Sequence, residues 1–270
     1  YGFRPLCLGL LGDSYVLASE TCAFDLVGAK YVREVEPGEI VQIQGSEIIS
    51  TRAPRAPRLA RCIFEEVYFA RPDSVVFGRT VWISREAYGG TLAKESPVVA
   101  DVVVPVPDSG VPAALGFSRE SGTPFAFALI RNHYVGRTFI EPKDGIRHFG
   151  VKVKLNPVSA LLAGKRVVLV DDSIVRATTS PKIIKMVRDA GATEVHVRIS
   201  YPPFRFPCEF GIDTPSQHEL VASSKSVEEI RQHIGADSLA FLSVAGLFRD
   251  RKQEEFCTRC CTGEYPIVRE

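Results

Sequence analysis

Two adjacent carboxylates, Asp171 and Asp172, close an apolar run, Val167 to Val170, and a hydroxyl-rich turn follows: Ser173-Ile174-Val175-Arg176-Ala177-Thr178-Thr179. A short apolar run without alternation suits a strand buried on both faces of a parallel sheet. Ser180-Pro181 then opens a helix, since Ser is a favoured N-cap and Pro a favoured first helical residue. Strand, turn and helix N-terminus in succession make an anion site, because unpaired backbone N–H groups and the positive end of the helix dipole converge there. Thr178, Thr179 and Ser180 add hydroxyl donors at the same spot. The two acids stand at the carboxyl end of the strand, where open α/β sheets bind ligands. Carboxylates repel phosphate, so this pair suits a sugar's hydroxyls or a magnesium ion. The ligand implied has both a phosphate and a diol. The plainer reading is a buried strand ending in a solvated acidic turn.

A second strand–turn–helix unit lies upstream. Val102–Val106 reads as a buried strand, Pro107-Asp108-Ser109-Gly110 as the turn, and a helix starts at Val111. Gly110 lets the backbone approach an anion closely. In the tail, Cys257 and Cys260 form a Cys-x-x-Cys pair. Two thiolates so spaced grip one metal or cluster, with zinc and a redox dithiol as competing readings.

These groups need elements to hold them. At 270 residues the chain can bury a sizeable core in one large domain or two. A net charge of +1 argues against a nucleic-acid surface, and no apolar run reaches the length of a membrane span. Met186 is the only Met, so the chain is expected to be processed or an excised piece. Seven Cys without a secretory leader favour reduced thiols or a metal centre over disulfides.

Residues 1–50 read as β-rich, with strand-like runs at 15–19, 29–35 and 39–43. Residues 51–61 form a basic, Pro-punctuated linker, 62–250 the main domain and 251–270 a cysteine-bearing tail. Within the main domain, the spacing of Phe64, Val67 and Tyr68 predicts a short helix, and a longer one covers Arg85–Lys94 with a weak point at Gly89-Gly90. Further on come a helix Lys182–Ala190, a strand Glu194–Ser200, a helix capped by Ser226 and Glu229, a strand Leu239–Val244 and a final helix.

VVLVDDSIVRATTS, residues 167–180, resembles the phosphoribosyl pyrophosphate signature of type I phosphoribosyltransferases. Its SIVR and TTS are similar to those of glutamine phosphoribosylpyrophosphate amidotransferases. Other stretches resemble that family too: the opening six residues with LASE (17–20) and EPGEIV (36–41), then FEEVYFARPDS, VPVPDSG and GIDTP. The resemblance implies an α/β fold, a type I phosphoribosyltransferase-like parallel sheet with flanking helices. A small β-rich remnant of an Ntn-hydrolase-like glutaminase domain would precede it.

The activity implied is transfer of ammonia, normally drawn from glutamine, to phosphoribosyl pyrophosphate. That gives 5-phosphoribosylamine and pyrophosphate, the first step of de novo purine synthesis. By the same resemblance Asp171 and Asp172 are catalytic, and Ser173, Arg176, Ala177, Thr178, Thr179 and Ser180 hold the 5′-phosphate. Asp108, Ser109 and Gly110 cradle the pyrophosphate, and Ser109, Asp171 and Asp172 attend Mg2+. Arg131, Tyr134, Arg137 and Lys143, on a long polar stretch at 129–150 with Gly136 as its soft point, would fold over the ligand. Two departures stand out: His133 replaces the family's usual Arg, and Ala177 its Gly.

By the same resemblance Cys62, Cys208, Cys257 and Cys260 occupy the positions of the ligands of a structural [4Fe-4S] cluster, zinc being the alternative. Cys7, Cys22 and Cys261 are left as packing residues. The partners implied are the sugar pyrophosphate and ammonia or glutamine, a homo-oligomer and a glutaminase, with no nucleic acid and no membrane. The compartment expected is the cytoplasm or the plastid stroma. A non-catalytic binder of the same sugar and a nucleobase phosphoribosyltransferase are the competing functions.

Overall fold

A computed structural model describes residues 1–53, 58–132, 155–214 and 216–266. The chain divides into two compact units. One comprises residues 1–85, 206–214 and 248–270, the other residues 86–205 and 215–247. These cuts differ from the sequence boundaries at 50, 61 and 250, because segments distant in sequence return to the first unit.

The second unit is built on a four-stranded, all-parallel sheet. Its strands are β1 (Val102–Pro105), β2 (Arg166–Asp171), β3 (Glu194–Ile199) and β4 (Ser238–Phe241), in the order β4-β3-β2-β1. Val167, Val168, Leu169 and Val170 are all buried, so both faces of β2 are covered, as an unalternating apolar run requires. Four helices matter for the site: α1 (Val81–Glu95), α2 (Val111–Ser121), α3 (Ser180–Asp189) and α4 (Val227–Ile234).

Helix α1 runs unbroken through Gly89-Gly90, where the sequence suggests a weak point. The glycines serve packing instead. A Cβ on Gly89 would lie 1.8 Å from the Ala113 carbonyl oxygen, and one on Gly116 would lie 1.9 Å from that of Glu86. Backbone of α1 therefore rests directly on backbone of α2.

Helix α4 is capped as its sequence predicts. Glu229 N–H donates to Ser226 Oγ at 3.2 Å, Ser226 N–H donates to Glu229 Oε2 at 2.7 Å, and Gly235 ends the helix at φ 75°. Helix α3 takes Thr179 as its N-cap, one residue earlier than Ser180-Pro181 suggests. Where a final helix is expected after β4, the chain makes the 3₁₀ turn Ala245–Phe248, and a single α-helical turn follows only at Arg259–Thr262. Leu129–Arg131 pairs antiparallel with Leu155–Pro157. His133, Tyr134, Gly136, Arg137 and Lys143 lie outside the described residues.

In the first unit, Cys7–Leu11 forms the centre of an antiparallel sheet between Ser14–Ala18 and Lys30–Glu34. Glu39–Gln44 and Glu47–Arg52 make a hairpin, so the expected linker begins as strand. The stretch after Cys62 forms one π-helical turn, Glu65–Phe69, rather than a regular helix. Its two acids are buried and paired: Arg4 Nη1 lies 2.9 Å from Glu65 Oε1, and Arg251 pairs with Glu66. No helix among the described residues is long and apolar enough to cross a membrane.

Candidate active site

Strands β1 and β2 are neighbours, and their ladder continues past β1 through Val106 N–H, which donates to the Val170 carbonyl at 2.8 Å. The two turns singled out in the sequence thus leave the sheet side by side at the carboxyl ends of adjacent strands. Gly110 makes that proximity feasible. Its φ is −75°, so no special backbone conformation demands glycine. Space does: an added Cβ would stand 2.5 Å from Val170 O and 2.8 Å from Val106 O.

With the turns so close, Ser109 Oγ donates to Asp172 Oδ1 at 2.5 Å, and Ser173 Oγ donates to the other carboxylate oxygen. Asp172 is buried and accepts a hydroxyl on each oxygen. Its own N–H donates to Asp171 Oδ1 at 2.9 Å. Ser200, at the end of β3, donates its N–H to the Asp171 carbonyl at 2.9 Å. Sequence reasoning misses Ser200, since only the parallel register brings it there.

Protein crowded around Asp171, and next the charge of Asp172, push the Asp171 carboxyl well above the usual carboxylate range. Asp171 keeps partial contact with solvent even so. Two adjacent carboxylates beside a serine hydroxyl are a donor set suited to a hard divalent cation or a sugar diol.

Two cations are held nearby by acids that a phosphate would have to displace. Arg131 pairs with Asp108, and Arg176 Nε lies 3.1 Å from Glu219 Oε1. Glu219 is a second residue the sequence analysis does not single out, and it also closes a capping box with Ser216.

The phosphate-type turn ends at α3. Thr179 caps the helix through its carbonyl, which accepts from Lys182 N–H and Ile183 N–H, each at 3.1 Å, without a side-chain cap bond. Thr178 and Thr179 are exposed and Ser180 is half-buried, so their hydroxyls stand at the helix N-terminus. Ala177 adopts φ 54° and is buried. An L side chain in that region is strained, and glycine is the residue that adopts it freely. Tyr134 and Arg137 lie outside the described residues, so nothing places them at this site.

The four motif cysteines lie in the first unit. Cys62 and Cys257 are register partners in a short parallel ladder, Arg61–Cys62 with Phe256–Cys257. Cys260 follows on the helical turn Arg259–Thr262, and its carbonyl accepts from Phe206 N–H at 3.1 Å. Cys208 Sγ accepts from Phe210 N–H at 3.3 Å. Burial pushes the Cys62 thiol strongly up, with Cys260, Glu65 and Cys257 adding to it. Burial also lifts Cys257 to about 11, with Cys260 and Cys208 contributing.

The thiols thus sense one another, yet the described residues contain no group of three or more His, Cys, Asp or Glu spaced to hold a single metal ion. That spacing gives no support to either metal reading, the iron–sulfur cluster or zinc. Cys7, Cys22 and Cys261 are buried, as the packing reading expects.

A four-stranded parallel sheet with an acid pair and an anion-type turn at its carboxyl end is consistent with a type I phosphoribosyltransferase fold. No protein-family model matches the chain. It is 54% identical over 273 residues to the chloroplastic amidophosphoribosyltransferase of Glycine max, taking in 100% of this chain and 48% of that protein. It is 54% identical over 271 residues to the Bacillus subtilis amidophosphoribosyltransferase, 98% of this chain and 57% of that one. The solved glutamine phosphoribosylpyrophosphate amidotransferase from B. subtilis, complexed with ADP and GMP, is similar with a TM-score of 0.89 at 53% identity, over 98% of this chain and 59% of that one. Over nearly its whole length the chain is similar to the phosphoribosyltransferase part of these amidophosphoribosyltransferases. It spans about half the length of the curated relatives it matches.

Proposed function

We propose that this chain displaces pyrophosphate from phosphoribosyl pyrophosphate with ammonia, giving 5-phosphoribosylamine, as the transferase part of a glutamine-dependent enzyme. The observation that carries the reading is the Ser109–Asp172 hydrogen bond of 2.5 Å, which joins a pyrophosphate-type turn to the acid pair at the ends of adjacent strands.

In the reaction the ammonia nitrogen bonds to the anomeric carbon, the bond from that carbon to pyrophosphate breaks, and the new ammonium loses a proton. Positive charge grows on the ring during the displacement. Asp171 and Asp172 orient the ribose hydroxyls and stabilise that charge. The amides and hydroxyls from Ser173 to Ser180 hold the 5′-phosphate, while Asp108, Ser109 and Gly110 line the pyrophosphate side. Arg131 and Arg176 exchange their acid partners for phosphate oxygens. Positioning and fixed dipoles suffice, with no covalent nucleophile. Ser109, Asp171 and Asp172 would hold magnesium, which supplies charge neutralisation for the departing pyrophosphate when bound.

Cys62, Cys208, Cys257 and Cys260 are proposed as ligands of a structural [4Fe-4S] cluster. The cross-strand pairing of Cys62 with Cys257 and the Phe210 N–H on Cys208 sulfur support it, being the packing and hydrogen bonding that thiolate ligands require.

The test is pyrophosphate release from phosphoribosyl pyrophosphate with ammonium salts and magnesium. Release that depends on ammonia supports the reading. Release that depends on a nucleobase instead overturns it in favour of a nucleobase transferase. The strained Ala177 favours one further reading, a binder that has lost turnover. Calorimetric binding of the sugar without pyrophosphate release would establish that one.

A further inference from the structure

Arg259 sits between two of the motif cysteines in sequence, and its surroundings set it apart from the other described arginines. Its guanidinium is stacked between two rings, with Cζ 5.0 Å from the Phe206 centroid and 4.6 Å from that of Tyr265. Nη1 donates to the Gly263 carbonyl at 2.5 Å. Gly263 itself has no room for a side chain: a Cβ there would meet the Phe206 ring at 3.0 Å and Arg259 Nη1 at 3.3 Å. So the backbone is shaped to keep the guanidinium in this cage. Yet Nε, inside it, is the single buried side-chain nitrogen or oxygen among the described residues that lacks a hydrogen-bond partner. A buried, unpartnered charged donor costs free energy unless something acceptor-rich joins it.

Arg259 opens the helical turn Arg259–Thr262 that carries Cys260, two residues after Cys257. Other cations of this unit are engaged with acids, Arg4 with Glu65 at 2.9 Å and Arg61, next to Cys62, with Glu255 at 3.7 Å. Bringing Cys62, Cys208, Cys257 and Cys260 together as thiolates assembles four negative charges that an iron–sulfur core only partly neutralises. Such a centre in a half-buried site needs a fixed positive charge beside it.

We infer that Arg259 is the charge-compensating residue of the cysteine centre, its caged guanidinium offering the unpartnered Nε–H to cluster or ligand sulfur. The inference rests on the cluster reading above. It makes Arg259 a positioning and tuning residue, not a catalytic one.

The test uses the full chain reconstituted anaerobically with ferrous iron and sulfide, alongside Arg259→Gln and Arg259→Lys. Bound iron and acid-labile sulfide, the rate at which a chelator strips the iron, and the midpoint potential of the loaded centre are measured. The glutamine variant is expected to lose iron about tenfold faster or more, the loss of one charge-assisted hydrogen bond. Its midpoint potential falls, because a removed positive charge disfavours the added electron. The lysine variant stays close to wild type.

A glutamine variant with wild-type release and potential overturns the inference, and so does a lysine variant that fails as fully as glutamine, since packing rather than charge would then be at work. The potential is read only from protein that has taken up the centre, so a poorly yielding variant still reports. Wild-type chain that takes up no iron and sulfide sinks the cluster reading itself, an outcome distinct from any difference among variants.

Discussion

Ser109 donates its hydroxyl hydrogen to Asp172 across 63 residues of sequence, welding two separate strand–turn–helix units into one site. Removing it leaves a buried carboxylate oxygen without that donor, and hydrogen bonds to charged groups are worth about 1.5–3 kcal/mol. Ser109→Ala is therefore expected to lower kcat/KM for ammonia-dependent pyrophosphate release by about 10- to 100-fold. A variant with unchanged kcat/KM would show that this hydroxyl does not order the acid pair.

Asp171 gives the free protein a pH dependence of definite sign. Its carboxyl is held above the ordinary range by burial and by Asp172, so the folded state keeps its proton to higher pH than the unfolded state does. Below the ordinary carboxylate range both states are protonated and the group contributes nothing. As pH rises through that range the unfolded chain ionises first, stability falls, and the deficit persists above the folded-state value. Asp171→Asn abolishes this loss. Without magnesium its Tm at neutral pH should exceed that of wild type, the two converging near pH 3 or so, while pyrophosphate release is lost. Parallel Tm curves from pH 3 to 8 would refute the electrostatic account.

Ala177 at φ 54° is a buried alanine in a conformation that disfavours a Cβ. Ala177→Gly should raise stability by about 0.5–1 kcal/mol, less than the full relief of strain because glycine also loosens the unfolded chain. Denaturant midpoints measure this. If the methyl group also crowds the phosphate, calorimetry will show the glycine variant binding phosphoribosyl pyrophosphate more tightly.

Gly110→Ala is predicted to fail in the opposite way. The new Cβ meets two carbonyl oxygens of the sheet at 2.5 and 2.8 Å, which only backbone movement can relieve. A destabilisation of about 3 kcal/mol follows, with loss of sugar binding even where the variant folds. Wild-type stability would mean that the turn has slack the present geometry denies it.

What was legible in the sequence was local. Four apolar residues before Asp171 announce a doubly covered strand, and Ser226 with Glu229 announces a capped helix, because strand burial and capping act over a few neighbouring residues. The strand–turn–helix units that carry Asp171, Asp172 and Ser109 were legible for the same reason, whereas a shared role for those residues was expected only from the family resemblance. What escaped depends on partners remote in sequence. Gly89-Gly90 looks like a helix breaker until Ala113 and Gly116 arrive against that face. Ser200 matters only through the register of β3, and Glu219 only because Arg176 reaches it. The strand Cys7–Leu11 carries no alternation to betray it, and the pairing of Cys62 with Cys257 is set by a ladder between the two ends of one unit.

The glycine crossing of α1 over α2 reaches further than packing. Each helix presses bare main chain on the other at two points, through Gly89 on Ala113 and through Gly116 on Glu86. Because α2 starts directly after Gly110, its axis dictates where the Ser109 turn can stand. Residues remote from both turns therefore calibrate the mouth of the candidate site. Enlarging either glycine would misalign that mouth by leverage from below, and a screen confined to ligand-contacting positions would overlook two of its most sensitive determinants.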